Sequence, residues 1–425
     1  MPACAGPQAP GAAPETPATG LLLTGGGARA AYQVGVLEAI ADLRRVCGAG
    51  RQANPFPIIT GTSAGAINAA ALASGADHFD RAVQRMARVW RQIHAAQVYG
   101  ADSLSVMRSG ARWLTLMSLG WALARWRRMR PRSLLDNAPL ERLLVRMVPL
   151  ARLPRLIRKG HLRALAVSAS SYSSGEHVTF FESAEPMQPW VRSQRKAMPD
   201  RITHQHLLAS SAIPFIFPAK GLTVDGHTEY FGDGSMRQSA PMAPAIHLGA
   251  ERILVIGAGR MHEPRDDTGA SPAAGYPTLA QMAGHALSSI FLDALAVDVE
   301  RMQRINQTLA LIPEERRRHS ALRPIELLVI APSQRLDAMA ARHVGDLPAP
   351  IRTMLGALGV SANMADVRGA ALASYLLFEA GYTQELMALG RADTLAMRSQ
   401  VCRFFGWSDS GAAIPARHRG SAANA

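Results

Sequence analysis

Two short apolar runs near the start of the chain each end in a small-residue turn that leads into a helical pattern. The first run, residues 21–24, is followed by three glycines and by apolar residues at helical spacing over residues 30–45. The second run, residues 57–60, is followed by a turn at residues 61–65 and an alanine-rich stretch. Consecutive strand–turn–helix units are typical of a parallel sheet whose strands are buried by helices. The sequence therefore predicts a three-layer α/β/α fold with a central, mainly parallel sheet.

The remaining sequence predicts further strands and then a helical region. Later apolar runs indicate strands at residues 162–168, 178–181, 253–257 and 325–330. We expect this division of the chain: a flexible tail at 1–18, an α/β domain at 19–258 with a basic, helical insertion at about 101–160, a mostly helical C-terminal part at 259–405, and a loose tail at 406–425.

The charge balance limits the classes of partner. The chain carries 46 Lys and Arg against 32 Asp and Glu, a net charge of +14. Such a surface attracts nucleic acid, acidic lipid or a phosphate-bearing substrate, and charge alone does not choose among them. We expect no nucleic-acid partner, because no nucleic-acid-binding motif accompanies the basic residues. The oligomeric state stays open.

The cysteines and the N-terminus indicate in which cellular compartment the protein is expected. The chain has 3 cysteines, which lie far apart in the sequence and show no metal-ligand spacing. They predict a reducing compartment and no metal site. The first 20 residues lack a basic region and an apolar core, and no run of about 18 uncharged apolar residues occurs. We therefore predict a cytoplasmic protein with no secretory signal and no membrane-spanning helix.

The turn after the second strand has the pattern G-x-S-x-G. Gly61, Ser63 and Gly65 occupy its fixed positions. A sharp turn between strand and helix exposes the serine hydroxyl, and small neighbours are needed because backbone crowds the turn. The following helix points its N-terminus at the serine, which favours developing negative charge. The pentapeptide alone also fits an ordinary tight turn with a buried serine.

The glycine-rich turn after the first strand, residues 25–30, has two interpretations. Consecutive glycines leave backbone N–H groups free to face a ligand. A dinucleotide-binding loop would need a sixth-position glycine and an acidic residue at the end of the second strand. The sixth position is Ala30, and residues 57–60 lead directly into the serine turn. The sequence therefore favours an oxyanion hole over a pyrophosphate loop.

The third motif is Asp233, which lies between two glycines after an apolar–aromatic run. An aspartate followed by Gly234 and Ser235 is by itself an ordinary turn. The order of glycine loop, G-x-S-x-G and Asp-Gly along one chain is far more specific than any of the three motifs alone.

Together these motifs resemble the patatin-like phospholipase family. The resemblance covers about residues 21–254 and rests on four segments: residues 22–30, 61–68, 209–218 and 233–234. It implies a Ser-Asp dyad without histidine, in which Ser63 is the nucleophile and Asp233 the general base. It also implies an oxyanion hole in the loop that contains Gly25, Gly26, Gly27, Ala28 and Arg29, with the arginine ordering that loop.

Two positions depart from the family pattern. Ala30 stands where the glycine loop usually ends in Gly, and Ser235 stands where the third motif usually has Gly or Ala. Neither change removes a catalytic group. A Ser-His-Asp triad remains the rival arrangement, and the histidines nearest in sequence to the aspartate are His204, His206, His227 and His247.

The resemblance implies a serine lipid acyl hydrolase that acts on a phospholipid or lysophospholipid, with possible peripheral membrane contact. The alternatives are a thioesterase or neutral-lipid esterase with the same dyad, and a non-catalytic lipid- or membrane-binding protein on this fold. No cofactor is expected, and calcium is not implied, because no acidic cluster surrounds the motifs.

The predicted insertion is rich in tryptophan and arginine. Trp113, Trp121 and Trp126 precede or begin an arginine-rich run at residues 125–132. Basic and aromatic residues in this arrangement suit a lid or a membrane-contact surface beside an acyl site. A solvated basic face with an apolar side in the core explains the same pattern.

Overall fold

The computed structural model describes residues 17–100, 133–261, 276–317, 319–320, 322–360, 367–409, 411–412 and 414. Within them, one sheet contains ten strands: β1 Thr19–Leu23, β2 Ile58–Thr62, β3 Ala164–Ser171, β4 His177–Ser183, β5 Trp190–Arg192, β6 Arg195–Pro199, β7 Lys220–Val224, β8 His227–Asp233, β9 Arg252–Ile256 and β10 Glu326–Ile330. The strand order is β10-β9-β1-β2-β3-β4-β6-β5, with β8 on β3 and β7 on β8.

The described helices are α1 Ala31–Val46, α2 Ala64–Ala73, α3 Phe79–Arg91, α4 Ala95–Val98, α5 Ala138–Met147, α6 Leu153–Arg158, α7 His204–Ser210, α8 Ala243–His247, α9 Leu279–Ser288, α10 Ala294–Ala310, α11 Glu314–Arg317, α12 Leu336–Ala341, α13 Ala349–Ala357, α14 Val367–Leu376, α15 Ala380–Ala396 and α16 Arg398–Phe405. A π-helical turn, Ser289–Asp293, joins α9 to α10.

Five adjacent strands, β10, β9, β1, β2 and β3, run parallel. Their residues alternate between two cores, because successive side chains of a strand point to opposite faces. In β1, Leu21 and Leu23 join the larger core, whereas Leu22 joins the smaller one beside α8 and α10. Helices therefore cover both faces of the sheet, and the predicted three-layer α/β/α fold is confirmed.

Strand β3 brings two distant parts of the chain together. β2 pairs with residues 164–168 of β3 in the parallel sense, and β8 pairs with residues 169–171 in the antiparallel sense. β2 and β8 thus share one edge of β3 and meet end to end. The turn after β2 begins at Ser63, and β8 ends at Asp233, so the sheet topology alone brings these two residues together.

The predicted strands are all present, with ends shifted by a few residues. Strands β5, β6, β7 and β8 were missed, because they are short or because exposed positions interrupt their apolar run. Residues 138–147 and 153–158 of the predicted insertion form helices α5 and α6. Its remainder, residues 101–132 with the three tryptophans and most of the arginine-rich run, lies outside the described residues.

The C-terminal helices pack against the first part of the chain. Tyr32 on α1 donates a hydrogen bond to Asp393 on α15, and Tyr99 donates one to the Leu376 carbonyl. The packed chain also extends beyond the predicted boundary at residue 406. Trp407 is buried and stacks on Phe405, so the loose tail does not begin at residue 406 as predicted.

One helical stretch differs from the prediction of no membrane-spanning helix. Leu279–Ala310 is long and apolar enough to cross a membrane, judged by length and composition only, and 28% of its most apolar window is buried inside the protein. The sequence criterion missed it because the apolar positions are interrupted by polar residues and by Asp293. Core helices pass the same length and composition test, so this is weak evidence for a span.

Candidate active site

Ser63 lies between β2 and the first turn of α2. Its backbone has φ +56° and ψ −131°, a left-handed conformation that L-residues rarely adopt. The surrounding structure fixes it there, because its N–H donates to the Ser210 Oγ at 2.9 Å and that hydroxyl donates to the Ser168 carbonyl at 2.6 Å. Backbone strain held by tertiary contacts is typical of functional turns.

Asp233 is buried at the end of β8 and contacts the serine directly. Its Oδ2 accepts a hydrogen bond from the Ser63 Oγ at 2.5 Å, and its Oδ1 accepts one from the Ser235 N–H at 2.9 Å. Burial raises the pKa of Asp233 to about 6, against the lowering effect of the hydrogen bonds from Ser63 and Ser235. The carboxyl group therefore loses its proton just below neutral pH.

This raised pKa predicts the pH dependence of activity. If ionised Asp233 takes the serine proton, the turnover of a short, soluble ester rises about tenfold per pH unit below 6 and levels off near 7. Initial rates between pH 4 and 9, with the melting temperature recorded at each pH, test this. A rate that is already at its maximum at pH 4.5, in folded protein, would contradict it.

The glycine loop presents unpaired backbone donors. Within the part of the chain that is described, the buried N–H groups of Gly25, Gly26, Gly27 and Ala28 donate no hydrogen bond. The Arg29 N–H donates to the Gly26 carbonyl at 3.1 Å, so this amide is already used. Gly27 lines the same pocket as Ser63. Buried unpaired donors are rare in proteins and indicate a place where a ligand supplies the acceptor.

Two residues far along the chain, Phe291 and Tyr375, hold this loop, and no sequence pattern pointed to them. A Cβ at Gly27 would lie 2.3 Å from the Tyr375 carbonyl oxygen, so α14 packs directly on the loop. The Phe291 ring, which stacks on Tyr375 at 5.0 Å, and the Ser235 Oγ both lie against Gly25. The glycine loop and the turn after Asp233 are therefore in contact.

An apolar pocket begins at Ser63 and runs along α2. One face of this helix, made of Ala64, Ile67, Asn68 and Ala71, lines it. Residues 64 and 71 are seven positions apart, so the pocket follows the helix for about 10 Å. The opposite wall comes from α3 and α5, with these apolar residues: Met86, Val89, Trp90, Leu140, Leu143 and Leu144. A narrow apolar space of this kind fits an acyl chain.

None of the four histidines considered from sequence bonds to the dyad. His204 contacts the Val148 carbonyl, His206 contacts Thr203, and His247 stacks on Trp190. The fourth, His227, begins β8, at the opposite end from Asp233.

A different histidine, His177, lies beside the base loop. Its ring interacts with the Gly234 backbone, and burial lowers its pKa to about 4, so it is neutral at physiological pH. No sequence pattern singled out this histidine, because it is far from Asp233 along the chain.

We expect no histidine to be essential. Alanine variants at His177, His204, His206, His227 and His247 should each keep at least about a tenth of the native ester turnover, because Asp233 bonds to Ser63 without an intermediary. Turnover and circular dichroism of each purified variant provide the measurement. A folded variant without activity would instead favour a Ser-His-Asp triad that contains that histidine.

Within the described part of the chain, one group of side chains could hold a metal ion, and it lies outside the pocket. The ligand atoms of Cys47, Cys402 and Asp409 lie within 4.8 Å of one another, and the two sulfur atoms are 3.7 Å apart. The prediction of no metal site relied on the spacing of the cysteines along the sequence, which does not reveal that α16 packs on the end of α1 and brings Cys47 and Cys402 together. Asp409 also accepts hydrogen bonds from Arg398.

The fold and the site define an α/β protein with an apolar pocket that opens at a serine on a strand–helix turn. The family model described as patatin-like phospholipase matches residues 21–246, more than half of the 425 residues, and the chain belongs to that family. A solved structure, VipD from Legionella pneumophila, is similar at 13% identity and a TM-score of 0.33, over 88% of this chain and 67% of that one. No curated protein sequence matches the chain.

Proposed function

We propose that the protein cleaves fatty acyl esters of a glycerophospholipid or lysophospholipid through an acyl-Ser63 intermediate, with Asp233 as the general base. The observation that carries this proposal is the 2.5 Å hydrogen bond between the Ser63 Oγ and the Asp233 Oδ2 at the end of an apolar pocket. Membership of the family supports lipid hydrolysis in general. The choice of a phospholipid among possible lipids comes from the family resemblance, and the net charge of +14 is in keeping with an anionic substrate surface.

The proposed reaction has two halves. The acyl chain lies along α2, and the ester carbonyl carbon faces the Ser63 Oγ. Asp233 removes the serine proton as the oxygen attacks, and then gives that proton to the departing alcohol. Water enters, Asp233 removes one of its protons, and hydroxide attack on the acyl-serine releases the fatty acid while the proton returns to Ser63.

The glycine loop would stabilise the negative charge that develops on the carbonyl oxygen. The unpaired N–H groups of residues 25–28 border the pocket at Gly27, where this oxygen would lie during attack on Ser63. Each donor in known oxyanion holes contributes roughly 3 kcal/mol to transition-state stabilisation. Arg29 has a supporting role in this proposal, because its own N–H bonds to Gly26.

Product analysis tests the substrate class. The native enzyme is incubated with a mixture of phospholipids, lysophospholipids, triacylglycerols and acyl thioesters, and Ser63→Ala serves as the control. We expect free fatty acid and lysophospholipid or glycerophosphodiester by mass spectrometry, with the native enzyme alone. Release of fatty acid from only the thioester or only the triacylglycerol would favour the corresponding alternative substrate. Release of no fatty acid from any of the lipids would point to a non-catalytic lipid-binding protein.

The pocket should set the acyl-chain preference. Ala71 lies about 10 Å along α2 from the serine turn, so Ala71→Phe fills the far end of the pocket. We expect kcat/KM for a sixteen-carbon ester to fall at least about 30-fold, because the chain end loses its apolar contacts. The four-carbon ester should change less than about threefold. Ala310→Phe, at an exposed helix position, is the control. An equal fall in kcat/KM for both esters would exclude an acyl chain that lies along α2.

A further inference from the structure

A second cavity lies beside the glycine loop and shares no lining residue with the acyl pocket. It is bordered by α9, the start of α12 and the segment after β9. Its polar lining is predominantly basic or neutral, and it includes Arg29, Arg260, Gln281, Ser288, Arg335 and Asp337. The function proposed above uses one residue of this cavity, Arg29, which supports the glycine loop.

Arg29 is the central feature of the cavity. Its side chain is 4% exposed, its Nε donates to the Ser374 Oγ at 2.7 Å, and its guanidinium lies 4.1 Å above the Tyr375 ring. Across the described ranges, the two terminal nitrogens of this guanidinium donate no hydrogen bond. A buried guanidinium is stabilised when its donors are paired, so these two nitrogens need an acceptor in addition to the electrostatic effect of nearby Asp337.

The cavity's own carboxylate does not meet this need. Both oxygens of Asp337 accept hydrogen bonds from Arg335, at 2.9 and 3.4 Å. The Arg335 and Arg29 cations both hold the pKa of Asp337 below its usual value, against the raising effect of burial. Among the described residues, three arginines and one acid line the cavity, and that acid is already bonded to Arg335. The amide of Gln281 and the hydroxyl of Ser288 add neutral polar groups.

We propose that this cavity binds a phosphate group, either as a free phosphate monoester or as a lipid head group, through the terminal nitrogens of Arg29. Planar guanidinium groups pair with phosphate oxygens through two parallel hydrogen bonds, which makes arginine clusters selective for this chemistry. The site itself does not depend on the proposed function. The effect of bound phosphate on catalysis does depend on the proposed function. Arg29 ends the glycine loop, so a bound phosphate would fix the loop's position during ester hydrolysis.

Gln281→Glu is the sharpest variant for testing the site. Gln281 caps α9, where its side chain accepts the Thr278 N–H at 2.9 Å and its own N–H donates to the Thr278 Oγ1. Glutamate preserves this capping box, so the helix should remain intact while the cavity gains a negative charge. Gln303→Glu makes the same charge change at an exposed position of α10 and is the matched control. Arg335→Gln, which removes a cation from the exposed rim, is a second independent variant.

Titration calorimetry of the full chain with inorganic phosphate measures binding without any need for ester hydrolysis. We expect one saturable site that Gln281→Glu and Arg335→Gln each weaken at least tenfold and Gln303→Glu changes less than twofold. Glycerol 3-phosphate and vesicles of phosphatidylcholine with or without phosphatidic acid, both tested on Ser63→Ala to prevent hydrolysis, separate the two phosphate sources. Binding of glycerol 3-phosphate would identify the ligand of the cavity as a free phosphate monoester. Binding of vesicles with phosphatidic acid, without binding of glycerol 3-phosphate, would identify it as a lipid head group.

The site is overturned if no phosphate-bearing ligand binds, or if Gln281→Glu and Gln303→Glu weaken binding equally. The link to the glycine loop has a separate measurement. Saturating inorganic phosphate should change the native rate on a soluble ester at least twofold and leave the rate of Gln281→Glu unchanged. A native rate unaffected by bound phosphate would overturn that link, while failure of all ester hydrolysis, with binding intact, would count against the proposed function and not against the site.

Discussion

Asp233→Asn and Ser63→Ala are each expected to lower ester turnover by at least about 10⁴-fold while leaving the protein folded. Asparagine keeps the size of the carboxyl group and part of its hydrogen bonding, but it cannot accept the proton from the Ser63 Oγ. Alanine removes the attacking atom itself. Since the two residues act on the same proton, the double variant should lose no more than either single variant, which double-mutant analysis of kcat/KM would show.

A matched buried carboxylate provides the control for Asp233. Asp298 is 5% exposed, has a pKa raised chiefly by burial and accepts the Met242 N–H at 3.0 Å. Asp298→Asn should therefore keep turnover within about tenfold of native, whatever its effect on the melting temperature. Substantial turnover by folded, pure Asp233→Asn would remove this residue from its assigned role.

The second large effect concerns the turn around the serine. A Cβ on Gly65 would lie 2.3 Å from the Leu23 carbonyl oxygen and 2.4 Å from that of Thr24. These are backbone atoms at the end of β1, so neither can rotate away. We expect Gly65→Ala to destabilise the fold by about 3 kcal/mol and to abolish turnover, because the helix or the strand must shift. Urea denaturation gives the change in unfolding free energy.

Gly356→Ala is the control, with an effect of opposite sign. Gly356 lies within α13, and a Cβ there meets nothing within 4 Å. Alanine should stabilise this helix by up to about 1 kcal/mol, since glycine is the weaker helix former. If Gly65→Ala unfolded at the same urea concentration as the native protein and retained turnover, the close packing of the turn on β1 would be wrong.

The sequence was sufficient for the layers of the fold because its strongest signals are local. Two apolar runs followed by small-residue turns predicted β1, β2 and the helices after them, and the family model now supports the same conclusion. Short strands such as β5 and β7 carry no comparable signal, because exposed positions tolerate polar residues. Their place in the sheet depends on pairing between segments, which periodicity does not reveal.

For the candidate site, sequence patterns predicted Ser63, Asp233 and the glycine loop, and their roles remain predictions. One residue that positions them, Ser210, lies in segment 209–218 of the family resemblance. Two others, Phe291 and Tyr375, escaped notice for a physical reason, because they contact the glycine loop through folding of the whole chain and each is an ordinary residue in its own helix or turn. A contact between segments hundreds of residues apart leaves no pattern in a single sequence.

The most direct test of a serine nucleophile is covalent labelling with a fluorophosphonate, which reacts with an activated serine hydroxyl and displaces fluoride. The native protein is labelled at pH 8, where Asp233 is ionised, and the adduct is located by mass spectrometry of its peptides. We expect a single phosphonylated residue, Ser63, with no adduct on Ser63→Ala and slowed labelling of Asp233→Asn. A stoichiometric adduct on another serine, or no adduct on a native protein that hydrolyses esters, would contradict the proposed mechanism.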